Sequence, residues 1–248
     1  MKNKFFALWL ASILSTILLL PYIFDLQREV IAKSTLSLPI LGLLSVIQTA
    51  FLLAVAIFLG LKLSKSINLP TLEFFESKAG FNKNFKSVFK LGVPIGIIVA
   101  LVIKFGDLFF SKFIPQIIAS ADQIPFWKNI LVPFYGGIVE ELLTRLFLVS
   151  LLAWLLGKIF RVKEVVKNNS IMWVSIIVAA VLFGLGHLPA TASITQITPV
   201  IVLRAILLNG IGGVVFGWLY WKKGLEYGMV AHFFTDVFLI AILPLLLK

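Results

Sequence analysis

Apolar residues in this chain gather in long unbroken runs, and polar residues are confined to the gaps between them. About 20 consecutive apolar residues are needed to cross a bilayer, and seven runs meet that length, at about 5–24, 38–61, 91–111, 130–157, 170–188, 199–221 and 226–247. The fold class predicted is therefore all-α, a polytopic membrane helix bundle of about seven transmembrane helices. The first run follows the basic start MKNK, but it exceeds a signal-peptide core and no small-x-small site follows, so it predicts a retained helix. The longest run, 130–157, predicts two half-helices or one strongly tilted helix, and the second has room for a break near Pro39. No internal repeat stands out. Residues 1–129 hold three spans without a motif, residues 130–248 hold the chemistry, and the two segments read as one structural domain.

The gap of about 64–90 is the longest, and it intersperses Phe74, Phe75, Phe81, Phe85 and Phe89 among lysines. Phe81, Phe85 and Phe89 recur at four-residue steps, so they share a helical face. This predicts an amphipathic cytoplasmic loop with an interfacial helix lying on anionic lipid; the plainer reading packs the aromatics beneath the bundle. Counted by side, fourteen Lys and Arg share the side of the N-terminus and five (Arg28, Lys33, Lys112, Lys128, Lys248) lie opposite. That asymmetry predicts a cytoplasmic N-terminus and, with seven spans, a C-terminus across the membrane.

Composition agrees: 60% of the residues are hydrophobic and 13% charged, which excludes a soluble domain of ordinary make-up. The net charge of +11 sits in short clusters beside apolar spans, as for loops facing anionic headgroups. No platform of interleaved basic and aromatic residues accompanies it, so no nucleic-acid partner is expected. The absence of cysteine excludes disulfides, thiolate metal sites and cysteine nucleophiles. The 18 lysines against 4 arginines hint at an AT-rich bacterial genome, hence a bacterial plasma membrane.

Against this background the segment GGIVEELLTRLF is conspicuous. An Asp, Lys or Arg at the centre of a lipid-exposed helix costs about 2.5–3.5 kcal/mol, while each Leu, Ile, Phe or Val returns only about 0.3–0.6 kcal/mol. Glu140, Glu141 and Arg145 must therefore face protein or water. Glu141 and Arg145 are four apart in the order that suits an ion pair, whereas Glu140 is turned about 100° away. Glu140 is thus left without a fixed counter-ion in a poorly solvated cavity, a setting for a general base. Further on, Phe183 and His187 are four apart, as are His232 and Asp236, and the chain's two histidines both fall in apolar spans. Ionisable residues inside a membrane default to a functional reading, against the plainer one of interhelical hydrogen bonds. Lys104 with Asp107, and Arg204, read as structural pairs or snorkelling groups. Gly210, Gly212, Gly213 and Gly217 predict close helix contacts along the sixth span.

Glu140-Glu141-Leu-Leu-Thr-Arg145, Phe183-Gly-Leu-Gly-His187 and His232-Phe-Phe-Thr-Asp236 together resemble the signature EExxxR, FxxxH, HxxxN of the CAAX prenyl protease type II family, also called the Abi or CPBP family of intramembrane glutamic proteases. The resemblance covers about residues 130–240. It implies a helical bundle around a polar, membrane-embedded cavity and a CAAX-prenyl-endopeptidase-like hydrolase. It further implies that Glu140 and His187 activate the attacking water, that His232 and Asp236 stabilise the oxyanion, and that Glu141, Arg145 and Phe183 support the site. No cofactor is implied. One position departs: Asp236 stands where many members carry Asn, and an ionised carboxylate cannot donate to an oxyanion. Asp236 is then either the neutral acid or, the reading preferred, the group that orients and charges His232. Zinc held by Glu140, His187, His232 and Asp236 is the minority alternative.

The function expected is an intramembrane endopeptidase acting on a prenylated or hydrophobic membrane-associated peptide or protein, with lipid as its surroundings. The alternatives are a non-enzymatic membrane scaffold, regulator or bacteriocin-immunity protein bound to a membrane-protein partner, and, behind these, a proton-coupled transporter, against which the lack of an inverted repeat counts.

Overall fold

A computed structural model describes residues 2–72 and 78–246, with the side chains of 78–84 also left undescribed. All regular structure among the described residues is helical. Among the described residues seven helices are long and apolar enough to cross a membrane, and the chain is a multi-pass integral membrane protein. They are α1 (Lys2–Leu26), α2 (Leu38–Ser66), α3 (Lys78–Phe110), α4 (Phe126–Ile159), α5 (Asn169–Gly186), α6 (Pro199–Lys222) and α7 (Leu225–Leu246).

Helix starts follow from local chemistry. Asn168 caps α5 by accepting from the Ile171 amide at 3.0 Å, and Thr198 caps α6 through the Ile201 amide at 3.3 Å. Pro39 does not break the second span: it occupies the first turn of α2, where its missing N–H costs nothing. The buried face of α1 carries Ser12, Ser15 and Thr16, whose hydroxyls each donate to a carbonyl of the same helix at 2.7–2.8 Å. They are small enough for close packing, and their polar atoms are satisfied without water.

From residue 78 onward the chain is one continuous helix with the third span. Phe74 and Phe75 lie outside the described residues, as does the side chain of Phe81. Phe85 and Phe89 pack together with ring centroids 4.6 Å apart, and Phe89 meets Phe234 of α7 edge-on.

Helix α4 lies at the centre, in contact with α1, α2, α5, α6 and α7. Its buried Val139, Leu142, Leu146 and Val149 form one core with Leu53 and Ile57 of α2 and Met172 and Ile176 of α5. Between α5 and α6 the backbones close up on glycine: a Cβ on Gly213 would come 2.6 Å from that of Ala180, and one on Gly217 would come 2.8 Å from Ile176. Gly210, by contrast, faces open space and plays no part in that contact. Asp107 of α3 is bound by Arg204 of α6, Nε to Oδ1 at 2.6 Å, rather than by Lys104 one turn away. The connections at 27–37, 111–125 and 187–198 meet at one end of the bundle, where Lys128 pairs with Asp25 at 2.5 Å and Arg28 donates to Gln123.

Candidate active site

The site is built on the middle of α4. Two glycines and then a pair of glutamates pass through this region, and both Tyr135–Glu140 and Leu142–Val149 wind in the wider π-type turn. Such turns re-aim side chains and recur at functional sites. After a turn at Ile130 and Leu131 the helix runs unbroken from Val132 to Ile159, so this part of the fourth span is not two half-helices.

Glu141 and Arg145 are fully buried and paired, Oε1 to Nη1 at 2.9 Å, as their spacing predicts. The guanidinium is packed between Phe183 of α5, 5.0 Å from the ring centroid, and Phe216 of α6, 5.3 Å away. Arg145 also donates to the Thr144 hydroxyl at 2.5 Å. That hydroxyl in turn donates to the Glu140 carbonyl. Phe183 therefore faces the buried cation while its ring meets His187 edge-on at 4.8 Å. Glu141 Oε1 accepts a second bond, from His232 Nδ1 at 2.7 Å. The carboxylate on Nδ1 identifies that nitrogen as the N–H and turns Nε2 toward Glu140. The reading preferred from the sequence gives Asp236 the orienting of His232; Glu141, 91 residues away in sequence, makes the hydrogen bond to its Nδ1.

His187 is oriented the same way by its own helix. Its Nδ1 donates to the Phe183 carbonyl at 2.8 Å, leaving Nε2 as the acceptor 3.9 Å from Glu140 Oε1. The second Glu140 oxygen lies 3.5 Å from His232 Nε2, and that nitrogen is 3.8 Å from Asp236 Oδ2. All four residues expected at the centre thus converge, from α4, the end of α5 and α7. They share a part-exposed spot: the Glu140 side chain is 23% exposed and that of His187 36%, whereas His232 and Asp236 are largely covered. Among the described residues no set of three or more His, Cys, Asp and Glu is arranged to hold a metal ion.

Three contributors escape sequence reasoning. Phe216 stacks on His232, with ring centroids 4.8 Å apart and planes 24° from parallel, and its only signal is an aromatic on a glycine-rich helix. Tyr22 of α1 stands within electrostatic reach of Asp236 and carries no signal at all. Gly136 sits where a Cβ would fall inside the Asp236 carboxylate. Away from this spot, a cavity of about 190 Å³ opens among the end connections, lined by Asp25, Arg28, Gln123 and Ser193.

A helical bundle with two glutamates, two histidines and an aspartate gathered inside its spans defines a membrane protein equipped for acid-base chemistry. Residues 122–238, which include all of these groups, match the family described as Type II CAAX prenyl endopeptidase Rce1-like. Over this segment, a little under half of the chain, the protein is similar to that family, a family of CAAX proteases. No curated protein and no solved structure matches the chain.

Proposed function

We propose that the protein is an intramembrane glutamic endopeptidase that hydrolyses a peptide bond in a prenylated or otherwise hydrophobic, membrane-associated substrate. The observation that carries this reading is the position of the Glu140 carboxylate, 3.9 Å from His187 Nε2 and 3.5 Å from His232 Nε2. Both gaps exceed a direct hydrogen bond, and each is short enough to be bridged by one water about 2.8 Å from both of its atoms.

In this mechanism a water held by Glu140 and His187 attacks the scissile carbonyl. Its oxygen forms the new bond to carbon as its proton passes to Glu140. The oxyanion is met by His232, whose Nε2 faces the same spot and whose imidazolium form has a carboxylate at each nitrogen, Glu141 at Nδ1 and Asp236 near Nε2. Collapse breaks the C–N bond, and Glu140 returns the proton to the leaving amine. Arg145 neutralises Glu141, so the carboxylate that orients His232 adds no uncompensated charge to the site.

The test is cleavage of a panel of prenylated and unmodified hydrophobic reporter peptides by purified wild type and Glu140→Gln, each with and without a strong chelator. Chelator-resistant cleavage by wild type alone is the expected result. Chelator-sensitive cleavage would move the two histidines and Asp236 into a metal site. Failure of both folded proteins across the panel would favour a scaffold.

A further inference from the structure

We infer that Gly136 is a positioning residue: the bare backbone of α4 at Gly136 is the seat on which the Asp236 carboxylate of α7 rests, and Gly228 of α7 provides the reciprocal seat for Glu141 of α4. A Cβ built on Gly136 would clash with Asp236 Oδ2 and come within 3.2 Å of both Asp236 Cγ and His232 Nε2. One built on Gly228 would lie 3.0 Å from Glu141 Oε2 and 3.2 Å from the Phe216 carbonyl oxygen. Each helix thus omits a side chain opposite the other's carboxylate.

The reciprocity matters because His232 lies between the two seats. Glu141 binds its Nδ1 at 2.7 Å, and Asp236 stands 3.8 Å from its Nε2. Gly228 is four residues before His232, and Asp236 four after it, so both groups share the face of α7 that meets α4. On α4 the partners Gly136 and Glu141 are five apart, across a stretch that winds in the wider π-type turn. Seating Asp236 on backbone sets its place beside His232 by contact. The atom in the way of a new methyl at Gly136 is the end of a short side chain, so the bundle accommodates alanine by displacing Asp236 and not by parting the helices. The inference rests on the proposed role of Asp236 for its catalytic consequence, but the seat itself does not depend on it.

The experiment is a double-substitution cycle on the full-length protein in detergent, reading thermal midpoint and, on a cleaved reporter peptide, kcat and KM. Gly136→Ala is expected to lower the midpoint in the wild-type background. In the Asp236→Ala background it should leave the midpoint unchanged or raise it, because the methyl then occupies freed space on a helix that favours alanine. In the kinetic arm Gly136→Ala should lower kcat at least tenfold with KM changed less than threefold, and add nothing to the loss caused by Asp236→Ala. Equal midpoint shifts in the two backgrounds, or a Gly136→Ala protein that folds in neither, would overturn the seat whatever the kinetics show. Coupled midpoints with no proteolysis by any variant would leave the seat standing and remove the peptidase mechanism.

Discussion

Replacing Arg145 with Met isolates the most costly feature of this bundle. In the native protein the side chains of Arg145 and Glu141 are 1% and 0% exposed, and their 2.9 Å contact is the principal charge compensation either receives. Methionine fills the slot between Phe183 and Phe216 but leaves Glu141 with one fixed donor, His232 Nδ1, and no access to water. Removing one partner of a buried ion pair costs about 3–5 kcal/mol. For a chain of 248 residues, at about 2–4 °C per kcal/mol, this corresponds to a loss of roughly 6–20 °C in thermal midpoint. The sharper test is Glu141→Gln combined with Arg145→Met. Gln can still accept from His232 while no charge remains buried, so the double variant should recover at least half of the lost midpoint. Tryptophan fluorescence during heating in detergent measures all three proteins against wild type. A double variant no more stable than Arg145→Met would refute the reasoning, because it would place the cost in lost packing and not in the orphaned carboxylate.

Three further outcomes follow from the geometry. Glu140→Gln should reduce reporter cleavage by a factor of about 10²–10⁴, the usual contribution of a general base, while shifting the midpoint by less than about 3 °C, since its side chain is already 23% exposed. Arg204→Gln removes the 2.6 Å contact to Asp107 and should change kcat/KM by less than about threefold, because that pair joins α3 to α6 outside the catalytic cluster. Gly213→Leu forces a side chain into the space held by Ala180 and should cost about 1–3 kcal/mol by overpacking, read as a lower midpoint that Ala180→Gly partly restores.

Much of the architecture was legible because a membrane imposes so narrow a rule. Run length alone placed six of the seven spans to within about five residues, missing only that the third helix begins at Lys78, and helical spacing placed Glu141 against Arg145. Relations between helices were less accessible. Local spacing offered His232 the carboxylate four residues on, but its hydrogen bond goes to a helix 91 residues away, where Glu141 had seemed already satisfied by its arginine. The same limit gave Asp107 to Lys104 in place of Arg204. Periodicity states which residues share a face; it does not state which neighbour that face meets or at what depth. The wide turns of α4 also leave no compositional trace, although they set the direction in which Glu140 points. Gly136 shows the same difficulty in its plainest form, since its role is to lack the atoms that would collide with Asp236.

The most direct test of the account is hydrolysis of one cleavable reporter peptide in isotopically heavy water by wild type and by Glu140→Gln, with products identified by mass. The account predicts that wild type places one heavy oxygen on the newly formed carboxyl end, and that Glu140→Gln, folded to the same midpoint, forms no product above background. Equal labelled product from both proteins would contradict it, since the water would then be activated without Glu140.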